Sequence, residues 1–151
     1  MASSSLRAGL QILLWVLIIA LSYVLYRSIT EPYVLIERQQ ELTDLTRMRM
    51  DKIRQVAIHF ESQYDRFPAT LDSLAMYAMQ DSAFLTVRDS VLGMSFPYDS
   101  LVFSPRTGKR FSYAINDTAR VNTYLLQDPD SNDKIGTLLA DVTLVNAASW
   151  E

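Results

Sequence analysis

The polar loop that begins at Asp128 is the one stretch whose residue types and spacing resemble a ligand site. Asp128, Asp130 and Asn132 stand at the first, third and fifth positions of a calcium loop, where side-chain oxygens coordinate the ion. Asp133 replaces the glycine that such a loop needs for its sharp turn, and Leu139 replaces its bidentate glutamate. Because Asp and Asn are also common in ordinary turns, a calcium site and a plain polar turn both stay open.

Residue types that support catalysis are otherwise sparse. The chain has no cysteine and a single histidine, His59, which excludes thiol catalysis, disulfides, zinc–thiolate sites and histidine-built metal centres. It contains no G-x-S-x-G elbow, and its Thr-Gly-Lys at residues 107–109 lacks the upstream glycine of a phosphate-binding loop. His59 lies beside an apolar helical stripe, which favours a structural histidine. We therefore expect a protein that is not an enzyme and has no resident cofactor apart from the calcium hypothesis.

The net charge and the length of the chain further restrict the possible functional classes and the number of domains. The formal net charge is −3 at pH 7, whereas a nucleic-acid-binding surface needs an excess of Lys and Arg to neutralise phosphates. We therefore expect no nucleic acid among the partners of the chain. No small-molecule substrate is evident from the sequence. The 151 residues are enough for one soluble domain beside a membrane anchor.

Near the N-terminus, residues 8–26 carry no charged side chain. A helix of that length spans about 28 Å, close to the thickness of the hydrocarbon core of a bilayer. The run shows no polar face, unlike a buried core helix, and it lacks a good signal-peptidase site. We predict an N-terminal tail at residues 1–7 and an uncleaved single-pass transmembrane anchor at residues 8–29.

Three residues are candidates for contact with partner proteins. Gln11 places a polar amide in the apolar run, and Trp15 lies deeper than a residue of an interfacial aromatic belt, so both are expected to face another transmembrane helix. Solvation by lipid alone is the alternative. Trp150, in the polar C-terminal segment, is the third candidate. A short tail, one apolar segment and a large C-terminal domain fit an anchor whose N-terminus stays in the cytoplasm, so we expect the inner (cytoplasmic) membrane of a bacterium with the soluble domain on the periplasmic side. Lys and Arg on the two flanks of the segment nearly balance, so the opposite orientation stays open.

After the anchor, Pro32 predicts a break in the helix at residues 30–33, because proline lacks a backbone donor and clashes with the preceding turn. Residues 34–151 then form the predicted soluble domain. Apolar residues at spacings of three and four predict an amphipathic helix from about residue 34 to residue 65. Thr70 is the predicted N-cap of a second, shorter helix that ends near Gln80.

The last third of the chain favours strands. Period-two patterns and turn residues predict strands at 100–104, 110–115, 121–127 and 137–145, the first two joined by a proline–glycine turn. Two helices followed by strands indicate the α+β class, with a long amphipathic helix packed on a small antiparallel sheet.

Two segments of this domain resemble type IV pilins and the pseudopilins of type II secretion. Residues 53–74, IRQVAIHFESQYDRFPATLDSL, are similar to the end of the pilin N-terminal helix, with its aromatic residue, aromatic–proline pair and leucine-bearing segment. The matching positions are Tyr64, Phe67, Pro68, Leu71 and Leu74. Residues 104–113 are similar to the proline–glycine hairpin that opens the pilin sheet. The resemblance implies a pilin-like fold.

The chain departs from pilins at two points. After Gly9, Leu14 occupies the position where the prepilin peptidase signature has glutamate. Pro32 is also predicted to interrupt a helix that is continuous in pilins. We therefore expect an accessory or structural subunit of a larger membrane protein complex (respiratory, photosynthetic or transport), whose partners are other membrane subunits and the lipid bilayer. The alternative is a pseudopilin-like component of a secretion or pilus-type machine.

Overall fold

The computed structural model describes the backbone of residues 4–93, 96–117 and 121–151, and within them every side chain except those of residues 4–6, 31, 32 and 98. Residues 1–3 of the predicted tail lie outside this description. The chain divides into two compact units, Met1–Glu41 and Leu42–Glu151. Each unit is described by itself.

The first unit consists of the N-terminal part of helix α1, which extends over Ser4–Tyr64. All side chains described between residues 7 and 40 are exposed, including Trp15 at 65% and Tyr26 at 69% of their surface. In the described part of the chain, this is the one helix that is long and apolar enough to cross a membrane.

The predicted break at residues 30–33 is not observed, because α1 is helical through Pro32. A proline inside a helix removes one backbone hydrogen bond and commonly bends the helix without ending it. Pro32 is flanked on both sides by sequence that continues as helix, so the local penalty does not terminate α1.

The second unit begins with the remainder of α1, whose inward face is completely buried at Met50, Ile53, Val56 and Ala57. The helix ends at Tyr64, close to the predicted position. Asp65 adopts a left-handed conformation (φ 54°) of the kind that closes helix C-termini.

Three shorter helices follow, α2 (Leu71–Gln80), α3 (Ser82–Leu85) and α4 (Arg88–Val91). The predicted cap of α2 is confirmed, since the Thr70 hydroxyl accepts a hydrogen bond from the backbone N–H of Ser73 at 3.1 Å. Leu71, Leu74 and Ala78 turn inward, as their spacing predicts. They join the core residues of α1 in one hydrophobic cluster.

An antiparallel three-stranded sheet completes the unit and confirms the α+β class. Its strands lie in the order β1 (Ser112–Asn116), β2 (Thr123–Gln127) and β3 (Lys134–Gly136). Tyr124, Leu126 and Ile135 are fully buried against the helices. The predicted strand at 100–104 is reduced to an isolated bridge between Phe103 and Arg110.

The predicted strand at residues 137–145 is wrong. Gly136 has φ 82°, and a Cβ atom there would overlap the carbonyl oxygen of Tyr124, so the chain turns away from the sheet after β3. Residues 142–144 form a 3-10 turn instead. The outer edge of β3 pairs with the C-terminal segment, where Ile135 bridges Ala148 and Ser149 N–H donates to the Lys134 carbonyl at 2.9 Å.

Candidate functional site

The proline–glycine turn, residues 105–109, is formed as predicted and acts as a basic turn. Gly108 supplies the left-handed conformation (φ 71°), and Ser104 N–H donates to the Lys109 carbonyl at 2.7 Å across the turn. This geometry presents Arg106, Thr107 and Lys109 to the acidic loop, residues 128–133.

At the exposed end of this contact, Asp130 is held by the basic turn. Its carboxylate accepts hydrogen bonds from the Lys109 ammonium at 2.6 Å and from the Thr107 hydroxyl at 2.5 Å. These bonds, that of Lys109 above all, lower the pKa of Asp130 below its usual value. Asp130 is therefore a carboxylate at neutral pH whose oxygens are already occupied by donors.

Deeper in the domain, two arginines from separate elements meet two aspartates of the acidic loop. Arg47 of α1 binds Asp133 through two nitrogens, at 3.0 and 3.3 Å. Arg106 lies 3.6 Å from Asp133 and 3.5 Å from Asp128, and it also donates to the Thr43 hydroxyl at 3.0 Å. The ionic cluster of Arg47, Arg106, Asp128 and Asp133 thus joins α1, the basic turn and the acidic loop.

Asp128 is the most deeply buried member of the ionic cluster. Its side chain is completely buried, and neither carboxylate oxygen has a hydrogen-bond partner among the described residues. Arg106 supplies the counter-charge. Removing an ion from water costs several kcal/mol, so a buried carboxylate depends strongly on its cation. The ionic cluster therefore holds the basic turn and the acidic loop together.

At the acidic loop, two of the three proposed calcium ligands already face cationic side chains of the protein. Asp128 faces Arg106 and Asp130 faces Lys109, while Asn132 is exposed. Among the residues that the structure describes, no group of three His, Cys, Asp or Glu side chains is arranged to hold a metal ion. Calcium binding at Asp128, Asp130 and Asn132 stays a prediction, and an ion there would have to displace two protein cations.

Trp150, predicted to contact a partner, is engaged inside its own domain. It packs on the hydrophobic core, and the Arg47 guanidinium lies 5.3 Å from the ring centroid, within the range of a cation–π contact. The neighbouring Glu151 binds Arg54 of α1 at 2.9 Å. The contacts of Trp150 with Arg47 and of Glu151 with Arg54 therefore hold the C-terminal segment against α1.

Sequence reasoning missed Arg47 and Arg106 as members of a site. A detectable signal was present, because the basic turn at 105–109 and the acidic loop at 128–133 are short, oppositely charged and close in sequence. The two loops flank the strands predicted at 110–115 and 121–127. Because these strands are antiparallel, both loops lie at the same end of the sheet. The position of Arg47 on α1 carried no such signal.

The two candidates in the anchor lie together. Gln11 and Trp15 are one helical turn apart and so share a face of α1, where both are exposed. Their predicted contact with a partner helix stays a prediction.

His59 belongs to an aromatic cluster between α1, α2 and α3. Its Nδ1 lies 2.7 Å from the Tyr77 hydroxyl, and its ring meets Phe84 edge-on with 5.1 Å between centroids. Burial raises the pKa of Tyr77 to about 12, so this hydroxyl is a poor proton relay at neutral pH. The contacts agree with the structural role that the sequence suggested for His59.

A partly open cleft lies between the end of α1 and strand β1. It has a volume of about 220 Å³, lined by Phe60, Phe67, Ile115, Asn122 and Thr123 among others. Binding sites for drug-sized ligands usually occupy roughly 300–1,000 Å³. Its lining also includes Arg66 and Asp117, while Thr123 contributes a hydroxyl and the Asn122 amide donates to the Asp65 carbonyl at 3.1 Å.

Comparison of the chain with family models, with curated proteins and with solved structures finds no match.

Proposed function

We propose that this chain is a non-catalytic, single-pass membrane protein that serves as an accessory subunit of a larger membrane protein complex. One observation carries the proposal. Every apolar side chain described in residues 8–29 is exposed, whereas residues 42–151 enclose a hydrophobic core of their own. Apolar surface without a partner in its own chain requires lipid or another protein.

The same segment supports the proposed location. Residues 8–29 act as the anchor in the inner (cytoplasmic) membrane, and the domain that follows lies on the periplasmic side. Arg7 and Arg27 flank the uncharged run, and the tyrosines at 23 and 26 stand where an interfacial aromatic belt forms.

Contact with other subunits is assigned to the face that carries Gln11 and Trp15. An amide in the hydrocarbon region is stabilised when it hydrogen-bonds a neighbouring helix, and a deep indole offers a large packing surface. Because Trp150 is engaged by Arg47, we assign it to the stability of the domain and leave the anchor face as the contact site.

A second candidate is a pseudopilin-like component of a secretion or pilus-type machine. Phe67 and Pro68 are buried directly after α1, and α2 follows with Leu71 and Leu74 inward, in the order that the resemblance implies. The passage of α1 through Pro32 also removes one of the two departures from the pilin pattern. Leu14 at the place of the glutamate still favours the accessory subunit.

The test is to solubilise native membranes in mild detergent and to identify by mass spectrometry the proteins that co-migrate with the chain. Stoichiometric co-migration with a large complex supports the accessory subunit. Co-migration with pilin-like proteins transfers support to the second candidate, and migration alone contradicts both.

A matched pair of variants tests the assigned face. Trp15→Leu should release the chain from its companions without changing its insertion, because leucine is as apolar but smaller. Leu13→Ala is the control, since residue 13 points about 180° away from the middle of the Gln11–Trp15 face at 100° per residue. Equal co-migration of both variants with the complex would remove Trp15 from the contact.

A further inference from the structure

The segment at residues 137–145, which was predicted to be a strand, exposes a group of apolar side chains. Leu138, Leu139, Val142 and Leu144 are all exposed, and we call them the knob. Leu139 at 70% and Val142 at 69% are the most exposed large apolar side chains described in residues 42–151. A contiguous exposed apolar group of this kind is typical of an interaction site.

The knob is held in shape by local hydrogen bonds. Thr137 Oγ1 accepts from the Leu139 N–H at 3.1 Å, and the Asn116 amide donates to the Leu138 carbonyl at 2.9 Å. The Asp141 carboxylate accepts from the N–H and the hydroxyl of Thr143, at 3.0 and 2.7 Å. A projection that is already ordered loses little conformational entropy on binding.

The same domain offers an open apolar groove of about 380 Å³. Its lining includes Leu45, Met48 and Arg49 of α1 together with Leu92, Phe96 and Pro97. The Arg49 guanidinium donates to the carbonyls of Ser100 and Phe103, at 3.0 and 2.7 Å, and makes no ion pair with a carboxylate in the described part of the chain. Burial lowers the pKa of Arg49.

Knob and groove lie on different flanks of α1. On one flank, Arg54 bonds the Asn146 carbonyl and Glu151, next to the segment that carries the knob. On the other flank, Arg49 bonds Ser100, and Lys52 bonds the Val91 carbonyl at 2.6 Å. The two surfaces therefore face different directions, as a head-to-tail contact between copies requires.

We propose that the knob of one copy docks into the groove of a second copy. The apolar side chains match in character, and Asp141 at the centre of the knob has no cationic partner among the described residues, so it complements Arg49 in the groove. The contact is heterologous, since two different surfaces of the same chain meet, and it generates a ring or an open row of copies. This association goes beyond the proposed function and does not depend on other subunits.

The absence of native cysteine allows a direct test in the full-length chain. Two differently tagged forms, Leu139→Cys and Met48→Cys, are co-expressed in membranes and treated with a short bismaleimide cross-linker. Both positions are exposed, so the substitutions should leave the fold intact. The expected product is a cross-linked heterodimer of the two tagged forms, with little product from either form expressed alone. Met76→Cys, on the exposed face of α2, replaces Met48→Cys in the control.

Two results would overturn the proposal. Cross-linking of Leu139→Cys to itself would indicate a symmetric knob-to-knob contact. Equal yields with Met48→Cys and Met76→Cys would indicate random collision or a knob directed at another protein.

Charge variants give an independent measurement. Asp141→Asn keeps an amide oxygen that can accept from Thr143 but removes the charge, so it should lower the cross-linked yield between Leu139→Cys and Met48→Cys severalfold. The same substitution should have no further effect when the groove-bearing form carries Arg49→Gln. A loss of equal size with Arg49 and with Arg49→Gln contradicts the pairing of Asp141 with Arg49.

Discussion

The two parts of α1 have similar helical backbones and opposite surroundings. In residues 8–29 every described apolar side chain is exposed, whereas from residue 46 onward one face, with Thr46, Met50 and Ile53, is completely buried. The difference does not come from hydrophobicity alone, because the exposed part is the more apolar of the two. It comes from what the rest of the chain supplies to the second part, which shares one hydrophobic core with α2, α3 and the sheet.

This contrast separates two kinds of stability. The second part of α1 is stabilised by its own domain, at roughly 25 cal/mol for each Å² of apolar surface removed from water. In the first part every described apolar side chain of residues 8–29 is exposed, so no comparable burial stabilises it. Substitutions in the two parts should therefore affect different measurements.

The largest expected effect comes from placing charge in the exposed part. Leu17→Asp with Ile18→Asp should release the chain from membranes, because each aspartate at the centre of a membrane helix costs about 2.5–3.5 kcal/mol. The measurement is the fraction of chain that stays in membranes after an alkaline carbonate wash. The control is Met76→Asp with Leu85→Asp, on exposed positions of the second unit, which should leave that fraction unchanged. If the wash also released the unmodified chain, residues 8–29 would not act as a membrane anchor, and the proposed difference between the two parts of α1 would be contradicted.

The next effect concerns the ionic cluster of the second unit. Arg106→Met leaves the buried Asp128 carboxylate without its cation, so the free energy of unfolding should fall by about 3 kcal/mol. Adding Asp128→Leu should recover most of that loss, because the uncompensated charge is then gone. Denaturant unfolding of the full chain in detergent micelles measures both.

Arg66→Met serves as the control for that series, since Arg66 is exposed. Its unfolding free energy should change by no more than about 0.5 kcal/mol. If Arg106→Met and Arg66→Met behave alike, Asp128 is solvated in solution and the cluster does not stabilise the domain.

The smallest effect is a pH dependence of the C-terminal attachment. Hydrogen bonding to Arg54 lowers the pKa of Glu151 below its usual value of 4.5. A carboxyl whose pKa is lower in the folded state stabilises that state above its unfolded pKa, and the contribution disappears as the pH falls through the folded pKa. The unmodified chain should therefore have a slightly higher thermal midpoint than Glu151→Gln at pH 7. The two midpoints should converge below about pH 4.5, and a constant difference would exclude the ionic contribution.

Elements governed by local signals were predictable from sequence. The Thr70 cap, the inward face of α2, the end of α1 and the basic turn each depend on a few neighbouring residues, and each is observed. The α+β class followed from the order of such elements. The passage of α1 through Pro32 was not predictable in this way, because the outcome depends on the helical sequence on both sides of the proline.

Features that depend on distant partners were missed. The alternating residues at 137–145 suit a strand, but the edge of β3 is occupied by residues near Ala148, and Gly136 directs the chain outward. The third strand, Lys134–Gly136, is too short to show a pattern. The spacing of Asp128 and Asp130 indicated oxygen ligands, yet the cations that face them come from the basic turn. Which partner meets an aspartate is decided by tertiary structure.

The pairing of the C-terminal segment with β3 has a consequence for biogenesis. Residues 146–149 close the edge of the sheet, and Glu151 reaches back to Arg54 on α1, so these contacts form only after the segment has been synthesised. The apolar part of α1 emerges from the ribosome far earlier, because synthesis proceeds from the N-terminus. In the membrane protein proposed above, the insertion machinery would therefore meet this helix while the domain behind it is still unfolded, which is the state in which a polypeptide can pass through a narrow translocation channel.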